Sequence, residues 1–334
     1  MRVAFFSTKS YDKESFKHYL PDHTHELTFF EPNLDSKTIA LAAGFDTICS
    51  FVNDLLDEKI LTKLSELGVK NIVLRCAGYN QVDLKKASEL GLKICRVPAY
   101  SPEAVAEHAL ALLMTLSRKT HKAYNRVRDN NFSIDGLTGF NIHGKTAGII
   151  GTGAIGKAFC KIMLGIGCKV LAYDIYENEE LKSLGVTYLP REELFAQSEI
   201  ISLHCPLTPE TFHLINPKSL SKMKDEVVLI NTSRGALIDT KAVIKALKKR
   251  KVGNLGIDVY EQEEDLFFQN LSEEILLDEQ IARLMTFPNV LITGHQAFLT
   301  NEALAQIAKI TLQNLDELAA GGELTNEVKW KSKE

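Results

Sequence analysis

Apolar residues along the chain gather into short blocks and longer periodic stretches, and the alternation between the two predicts the architecture. Blocks rich in β-branched and aromatic residues at 2–6, 27–30, 47–51, 71–74 and 93–97 read as strands. Helical stretches at 59–67 and 83–90 separate the later blocks, each followed by a glycine (Gly68, Gly91) where a helix C-cap calls for one. The pattern restarts at Lys145 with strands at 146–150, 169–174, 199–205 and 226–231, and two more candidates at 254–258 and 289–293. Strand-helix-strand alternation predicts parallel sheets covered by helices on both faces, so each set reads as its own doubly wound α/β unit.

A long helix from Pro102 to about Arg118, started by Ser101-Pro102-Glu103, lies between the two sets. A closing helix, about 300–318, ends near Gly321-Gly322. Because it follows the second set, it is a candidate to fold back onto the first and make that domain discontinuous. The connection 261–288 is the least regular long segment, and loops of that length in compact domains are usually functional.

Composition removes several classes of function. A net charge of -4, with no basic block beyond Lys248-Lys249-Arg250-Lys251 at a predicted helix end, gives no electrostatic reason to expect nucleic acid or an anionic membrane. The apolar start Met1–Phe6 is broken by Ser7 and Lys9, too short for a signal-peptide core, and no run reaches membrane-spanning length. The six cysteines (Cys49, Cys76, Cys95, Cys160, Cys168, Cys205) form no CxxC pair and have no histidine partners at metal spacing. They read as reduced buried thiols, which points to the cytoplasm and to no metal centre.

Gly151-Thr152-Gly153-Ala154-Ile155-Gly156 follows the strand 146–150 and opens a helix running towards Gly165. Glycine-rich turns are common, but here strand, turn and helix stand in the order that a dinucleotide pyrophosphate requires. The first glycine makes the tight turn, the second lets the backbone approach the phosphates, and the third permits close packing. About twenty residues on, Asp174 closes the next strand, where a carboxylate bonds ribose hydroxyls and repels a 2′-phosphate. Ile175 and Tyr176 offer no arginine for such a phosphate, so NAD is favoured over NADP.

Three further groups fall just past predicted strands: Arg234 in Asn231-Thr232-Ser233-Arg234-Gly235, Glu263 five residues beyond Asp258, and His295. Singly, each has an ordinary structural explanation: a loop ion pair, a solvated acid, a satisfied histidine. Together they match the reduction of a 2-oxo acid. A guanidinium clamps the carboxylate and polarises the carbonyl, an imidazole donates the proton, and a carboxylate fixes the imidazole's tautomer.

With these residues the chain resembles the D-isomer-specific 2-hydroxyacid dehydrogenases, most closely their D-lactate dehydrogenase branch. The matching segments are 96–102, Ala106-Glu107-His108-Ala109, the glycine turn, 201–208, 231–235, 258–263 and 295–298. The resemblance runs from about Asn71 to Phe298 and is looser over the first fifty residues. It implies that Arg234 binds the substrate carboxylate, that His295 is the general acid/base paired with Glu263, and that the backbone of Ala77 and Gly78 helps hold the carboxylate. Tyr100, Phe51 and Phe298 correspond to pocket-lining positions. Asp258 and Thr232 correspond to the nicotinamide side, and His204, Cys205 and Pro206 to the adenosine-side loop. Thr211, Ser233 and Ala297 complete the cofactor candidates with Gly151, Gly153, Ala154, Ile155, Gly156 and Asp174.

The resemblance also implies two Rossmann-like domains with the active site in the cleft between them. A discontinuous substrate domain would comprise 1–99 plus 299–334, an NAD-binding domain 100–298, and the assembly would be a homodimer. One departure stands out: Gly294 occupies a position where the family usually has proline, which leaves the loop before His295 less constrained. Pyruvate and D-lactate are the expected substrate pair, with 2-oxoisocaproate or phenylpyruvate as bulkier alternatives. No extra basic cluster favours a phosphorylated substrate, and formate oxidation needs no proton donor. A NAD-sensing, corepressor-like binding protein would keep the same residues but carry partner-binding extensions, whereas here only the short segment 327–334 follows the last helix.

Overall fold

The computed structural model describes residues 1–330; of the segment 327–334, the last four residues lie outside the described residues. The chain divides into two compact units, Met1–Ser101 with Leu299–Glu334, and Pro102–Phe298. The division falls two residues later than the sequence suggests, because the helix Pro102–Arg118 begins there and belongs wholly to the second unit. Tyr100 and Ser101 therefore stay with the first.

The first unit holds β1 (Arg2–Phe5), β2 (Glu26–Phe29), β3 (Thr47–Ser50), β4 (Asn71–Leu74) and β5 (Lys93–Arg96), in the order β2-β1-β3-β4-β5. Every pairing is parallel. β3 and β4 are buried along their whole length, as strands covered on both faces must be. The last helix, Asn301–Ala320, returns to this unit and packs on the helix Ser10–Tyr19 and on β4 and β5. Thr300 caps it by accepting from Ala303 N, and beyond it the backbone of Asn326 and Val328 bonds to Arg96 and Ile94 of β5. Residues separated by the entire second unit thus complete one core.

The second unit holds β6 (Thr146–Ile150), β7 (Lys169–Tyr173), β8 (Thr187–Tyr188), β9 (Ile200–Leu203), β10 (Val227–Asn231), β11 (Val252–Ile257) and β12 (Val290–Ile292). The order β12-β11-β10-β9-β6-β7-β8 is all parallel and reverses direction of growth between β6 and β9. Parallel strands put all their carboxyl ends on one edge, and a ligand crevice opens where the order reverses. The helices Pro102–Arg118 and Ala154–Gly165 pack against each other on one face, over a core that includes Leu112, Leu116, Phe159 and Ile230. The opposite face is closed by the helices Thr240–Lys248 and Glu279–Met285 over Leu229, Leu255 and Ile257. No helix among the described residues is long and apolar enough to cross a membrane.

Candidate active site

The glycine turn follows β6 at the reversal point. Gly151 has φ +92°, and a Cβ there would stand 2.6 Å from Cys205 N and 2.7 Å from the His204 carbonyl, so only glycine fits between β6 and β9. A Cβ on Gly156 would fall 1.9 Å from Gly151 O, which locks the helix onto the turn. Gly153 differs: a Cβ there would meet nothing within 4 Å. It is the N-cap of the helix Ala154–Gly165 and offers no side chain to the first-turn N–H groups. The turn is therefore packed behind and bare in front, with helix-end donors facing the open side, which is the form a pyrophosphate needs.

Asp174, just past β7, fixes the other wall. Its Oδ2 accepts from Thr152 N (2.5 Å) and Thr152 Oγ1 (3.2 Å), and its Oδ1 from Tyr176 N (3.2 Å). Tyr188 on β8 donates to Thr152 Oγ1 at 2.9 Å, so the short edge strand braces this corner. Past β9, His204 Nε2 bonds Ser202 Oγ at 2.8 Å and the ring lies 5.0 Å from Phe159. Its Nδ1 is out of solvent and unpartnered although the residue is half-buried, and burial of the ring lowers its pKa to about 3. Burial likewise pushes the Cys205 thiol up to about 11, which leaves it an inert wall residue. Cys205 O accepts from Ser233 Oγ (2.7 Å), while Pro206 O accepts from Thr211 Oγ1 (2.7 Å) and closes a local turn.

After β10, the fully buried Asn231 shapes the next turn through Ser233 N→Oδ1 (3.0 Å) and Nδ2→Arg234 O (2.8 Å). Thr232 Oγ1 is buried and has no hydrogen-bond partner among the described residues. An orphaned hydroxyl and a bare glycine turn, both at strand ends of one sheet, fit a bound dinucleotide that supplies the missing contacts. Arg234 is half-buried, with Nη1 donating to Ser233 O at 2.6 Å.

His295 and Glu263 meet directly: Nδ1 lies 2.8 Å from Glu263 Oε1, and both side chains are 16% exposed. Glu263 Oε2 accepts from Tyr260 N at 2.8 Å, so the carboxylate is held from both ends. A proton on Nδ1 bonded to this carboxylate leaves Nε2 as the exchanging nitrogen. His295 has φ +54°, a left-handed backbone that a non-glycine residue adopts only under local constraint. That constraint is Asp258, fully buried after β11. Its carboxylate accepts from Thr293 Oγ1 (2.5 Å), Gln296 N (2.9 Å) and Ala297 N (2.8 Å), and its carbonyl from His295 N (2.8 Å). His108 Nε2 adds contacts to Thr293 Oγ1 (3.0 Å) and Asp258 Oδ1 (3.3 Å). Burial raises the Asp258 pKa, but the bonds from His108, Thr293 and the two N–H groups outweigh it and hold the group below its ordinary value. Asp258 thus grips the loop that presents His295. His108 and Thr293 were not assigned roles from the sequence; His108 lies inside a matching segment, and Thr293 only at the end of a strand candidate.

Ala297 and Phe298 are buried at the end of this loop. The remaining candidates belong to the first unit. Phe51 is buried, its N–H bonded to Asp54 Oδ2 (2.6 Å) and its ring 4.6 Å from the buried Arg75 guanidinium. Ala77 O accepts from Arg96 Nη1 (2.6 Å), and Cys76 Sγ donates to Gly78 O (3.2 Å). Tyr100 is half-buried. Arg75, which also bonds Asp12 and Ser7 O, is a structural anchor beneath this loop that sequence reasoning missed.

Comparison with known proteins finds relatives over nearly the whole chain. A family model described as D-isomer specific 2-hydroxyacid dehydrogenase, NAD binding domain, matches residues 110–297. D-lactate dehydrogenase of Escherichia coli K12 is 52% identical over 98% of this chain and 100% of its own length. The apo-structure of D-lactate dehydrogenase from Escherichia coli superposes with a TM-score of 0.90, covering 98% of this chain and 100% of that one at 51% identity. The Aquifex aeolicus D-lactate dehydrogenase complexed with NAD and lactic acid gives 0.88 at 35% identity, over 99% and 100%. The chain belongs to the D-isomer specific 2-hydroxyacid dehydrogenases and is an NAD-dependent enzyme of that family.

Proposed function

We propose that this enzyme interconverts pyruvate and D-lactate, with Arg234, Glu263 and His295 as its catalytic residues. The observation that carries the mechanism is the 2.8 Å His295–Glu263 pair, held on a strand-end loop of the NAD-binding unit. Bound NADH supplies the hydride that the substrate's carbonyl carbon receives. Arg234 pairs its planar donors with the substrate carboxylate, and His295 delivers a proton from Nε2 to the carbonyl oxygen as charge develops there. Glu263 keeps Nδ1 protonated and the ring oriented, and in lactate oxidation the same nitrogen takes the proton back. The remaining substrate-side candidates are Ala77 and Gly78, through their backbone N–H groups, and Phe51, Tyr100 and Phe298, through their side chains. Near-complete coverage at 52% identity to a D-lactate dehydrogenase favours the small substrate.

The cofactor contacts are assigned to Gly151, Gly153, Ala154, Ile155, Gly156, Asp174, His204, Cys205, Pro206, Thr211, Thr232, Ser233, Asp258 and Ala297. We further propose a cytoplasmic homodimer. Its support is the group of exposed apolar side chains Tyr124, Val127, Phe132 and Ile134 in and after the helix Thr120–Arg128, together with cysteines that are all free. Light scattering on the purified protein tests the assembly; a monomer at micromolar concentration refutes it.

NADH oxidation with pyruvate, 2-oxoisocaproate and phenylpyruvate, and NAD reduction with D- and L-lactate, test the reaction. Fast turnover confined to pyruvate and D-lactate is expected. A higher kcat/KM for a bulkier acid keeps the mechanism and moves the substrate, while tight NADH binding without turnover favours a sensing protein.

A further inference from the structure

The first unit carries a cluster of ligating side chains that the reaction does not use. His23-Thr24-His25 enters β2 in extended backbone, with His23 at φ -129° and ψ 157°, so residues two apart present their side chains to the same face. That face looks at Asp316 on the last helix. His23 Nδ1 lies 2.8 Å from Asp316 Oδ2, and His25 Nε2 lies 2.9 Å from Asp316 Oδ1. Among the described residues this is the one group of three or more His, Cys, Asp or Glu whose ligating atoms all fall within 4.8 Å of one another. The His25 side chain is 1% exposed, His23 21% and Asp316 49%, giving the cluster a dry wall and an open mouth.

We propose that His23, His25 and Asp316 bind one divalent transition-metal ion of the zinc, cobalt or nickel type. Two imidazole nitrogens and one carboxylate oxygen are the donors such ions take in common, with water filling the open position. Calcium and magnesium require more oxygens than the cluster offers. Tetrahedral bonds of about 2.0–2.1 Å place ligand atoms about 3.3 Å apart. The nitrogen–oxygen pairs therefore widen by a few tenths of an ångström. His23, the more exposed ring, supplies that movement. The ion takes the place of the two N–H groups that now point at the carboxylate, and each ring moves its proton to its other nitrogen. For His25 that is Nδ1, 3.3 Å from the Met1 amino nitrogen, which releases a proton to solvent and accepts from it. The ion then ties residues 23–25 to a helix some 290 positions later, and so fastens the last helix to the sheet it completes.

The test uses the full-length protein stripped of metal with a chelator. Zn2+ is titrated calorimetrically, Co2+ is followed by its visible d–d absorption, and His23→Ala and Asp316→Asn are compared with the parent. Both changes lie at solvent-accessible positions, and far-UV circular dichroism verifies folding. One equivalent of Zn2+ and an intense tetrahedral Co2+ spectrum are expected in the parent. Affinity should be at least about tenfold weaker in either variant, since the loss of an outer partner alone costs that much. Zn2+ should raise the unfolding temperature of the parent and not of the variants. No saturable binding by the parent overturns the proposal, and so does unchanged stoichiometry and affinity in both variants. In either case the cluster is a hydrogen-bonded tie between two imidazoles and a carboxylate.

Discussion

The three glycines of the cofactor turn face different surroundings, and that difference separates their roles experimentally. Gly156→Ala places a methyl 1.9 Å from Gly151 O, where ordinary contact begins at 3.4 Å, so backbone must separate by about 1.5 Å at the centre of the motif. Overpacking against backbone costs about 3 kcal/mol or more, which for a domain of this size lowers the unfolding temperature by roughly 6–12 °C. Gly153→Ala meets no protein atom within 4 Å, and its cost to the fold is that of replacing glycine by alanine at a helix N-cap, about 1 kcal/mol or less. Its methyl instead projects where the pyrophosphate must approach. Thermal unfolding without cofactor, paired with NADH titration by fluorescence, reads the two effects apart. Gly153→Ala is expected to unfold within about 4 °C of the parent yet bind NADH at least about tenfold more weakly. Gly156→Ala is expected to lose both stability and affinity. Unchanged NADH affinity in a stable Gly153→Ala variant would refute the placement of the phosphates over the open side of the turn.

Glu263→Gln replaces a carboxylate that accepts from both His295 Nδ1 and Tyr260 N by an amide that can accept from only one of them. Losing a charge-assisted bond of about 1.5–3 kcal/mol predicts a drop in kcat of about 10–100-fold, and steady-state kinetics showing less than a twofold change would count against the pairing. Asp258→Asn turns an amide donor towards Thr293 Oγ1, Gln296 N or Ala297 N in a fully buried site. The left-handed His295 loses its hold, so kcat should fall further than KM rises, with about 1–3 kcal/mol of stability lost in denaturant titrations. His204 gives a pH dependence of stability. The folded ring takes up no proton until about pH 3, while the unfolded chain does so below its ordinary 6.5. Its contribution is therefore present above pH 6.5 and is lost as pH falls towards 3, by up to about 1.4 kcal/mol per unit. His204→Asn should flatten the fall in unfolding temperature between pH 6.5 and 4.5, and parallel curves for variant and parent would contradict this.

Most strands were legible because a parallel sheet buries both faces of its central members. The runs at 71–74 and 146–150 match β4 and β6 residue for residue, and others differ at their ends by one or two positions. β8 was invisible, since two residues carry no periodicity, and its importance lies in the Tyr188 hydroxyl, which donates to Thr152 Oγ1 and accepts from Asn178 N. The helix Thr120–Arg128 buries none of its residues, so it left no apolar stripe to read. The irregular connection 261–288 proved to contain the turn Glu263–Asp265 and the helix Glu279–Met285. Candidate groups at strand ends could be named because the fold class dictates where strand ends gather. What could not be read were contacts between distant elements: His108 with Asp258, Arg75 with Asp12, and Asp316 with the two histidines. Their partners lie 63 to 293 residues apart, and nothing in local pattern records such meetings.

The interrupted first unit also sets a timetable for the nascent chain. Its opening 101 residues leave the ribosome with the helix Ser10–Tyr19 alone on one side of their sheet, and the helix Asn301–Ala320 that covers β4 and β5 there is made only after Pro102–Phe298. At about 5–20 residues per second, that wait lasts roughly 10–40 s. The continuous second unit can mature during this interval, while β4 and β5 remain exposed to chaperones and proteases. Moving the last helix ahead of Met1 by circular permutation would let the first unit close before the second is synthesised.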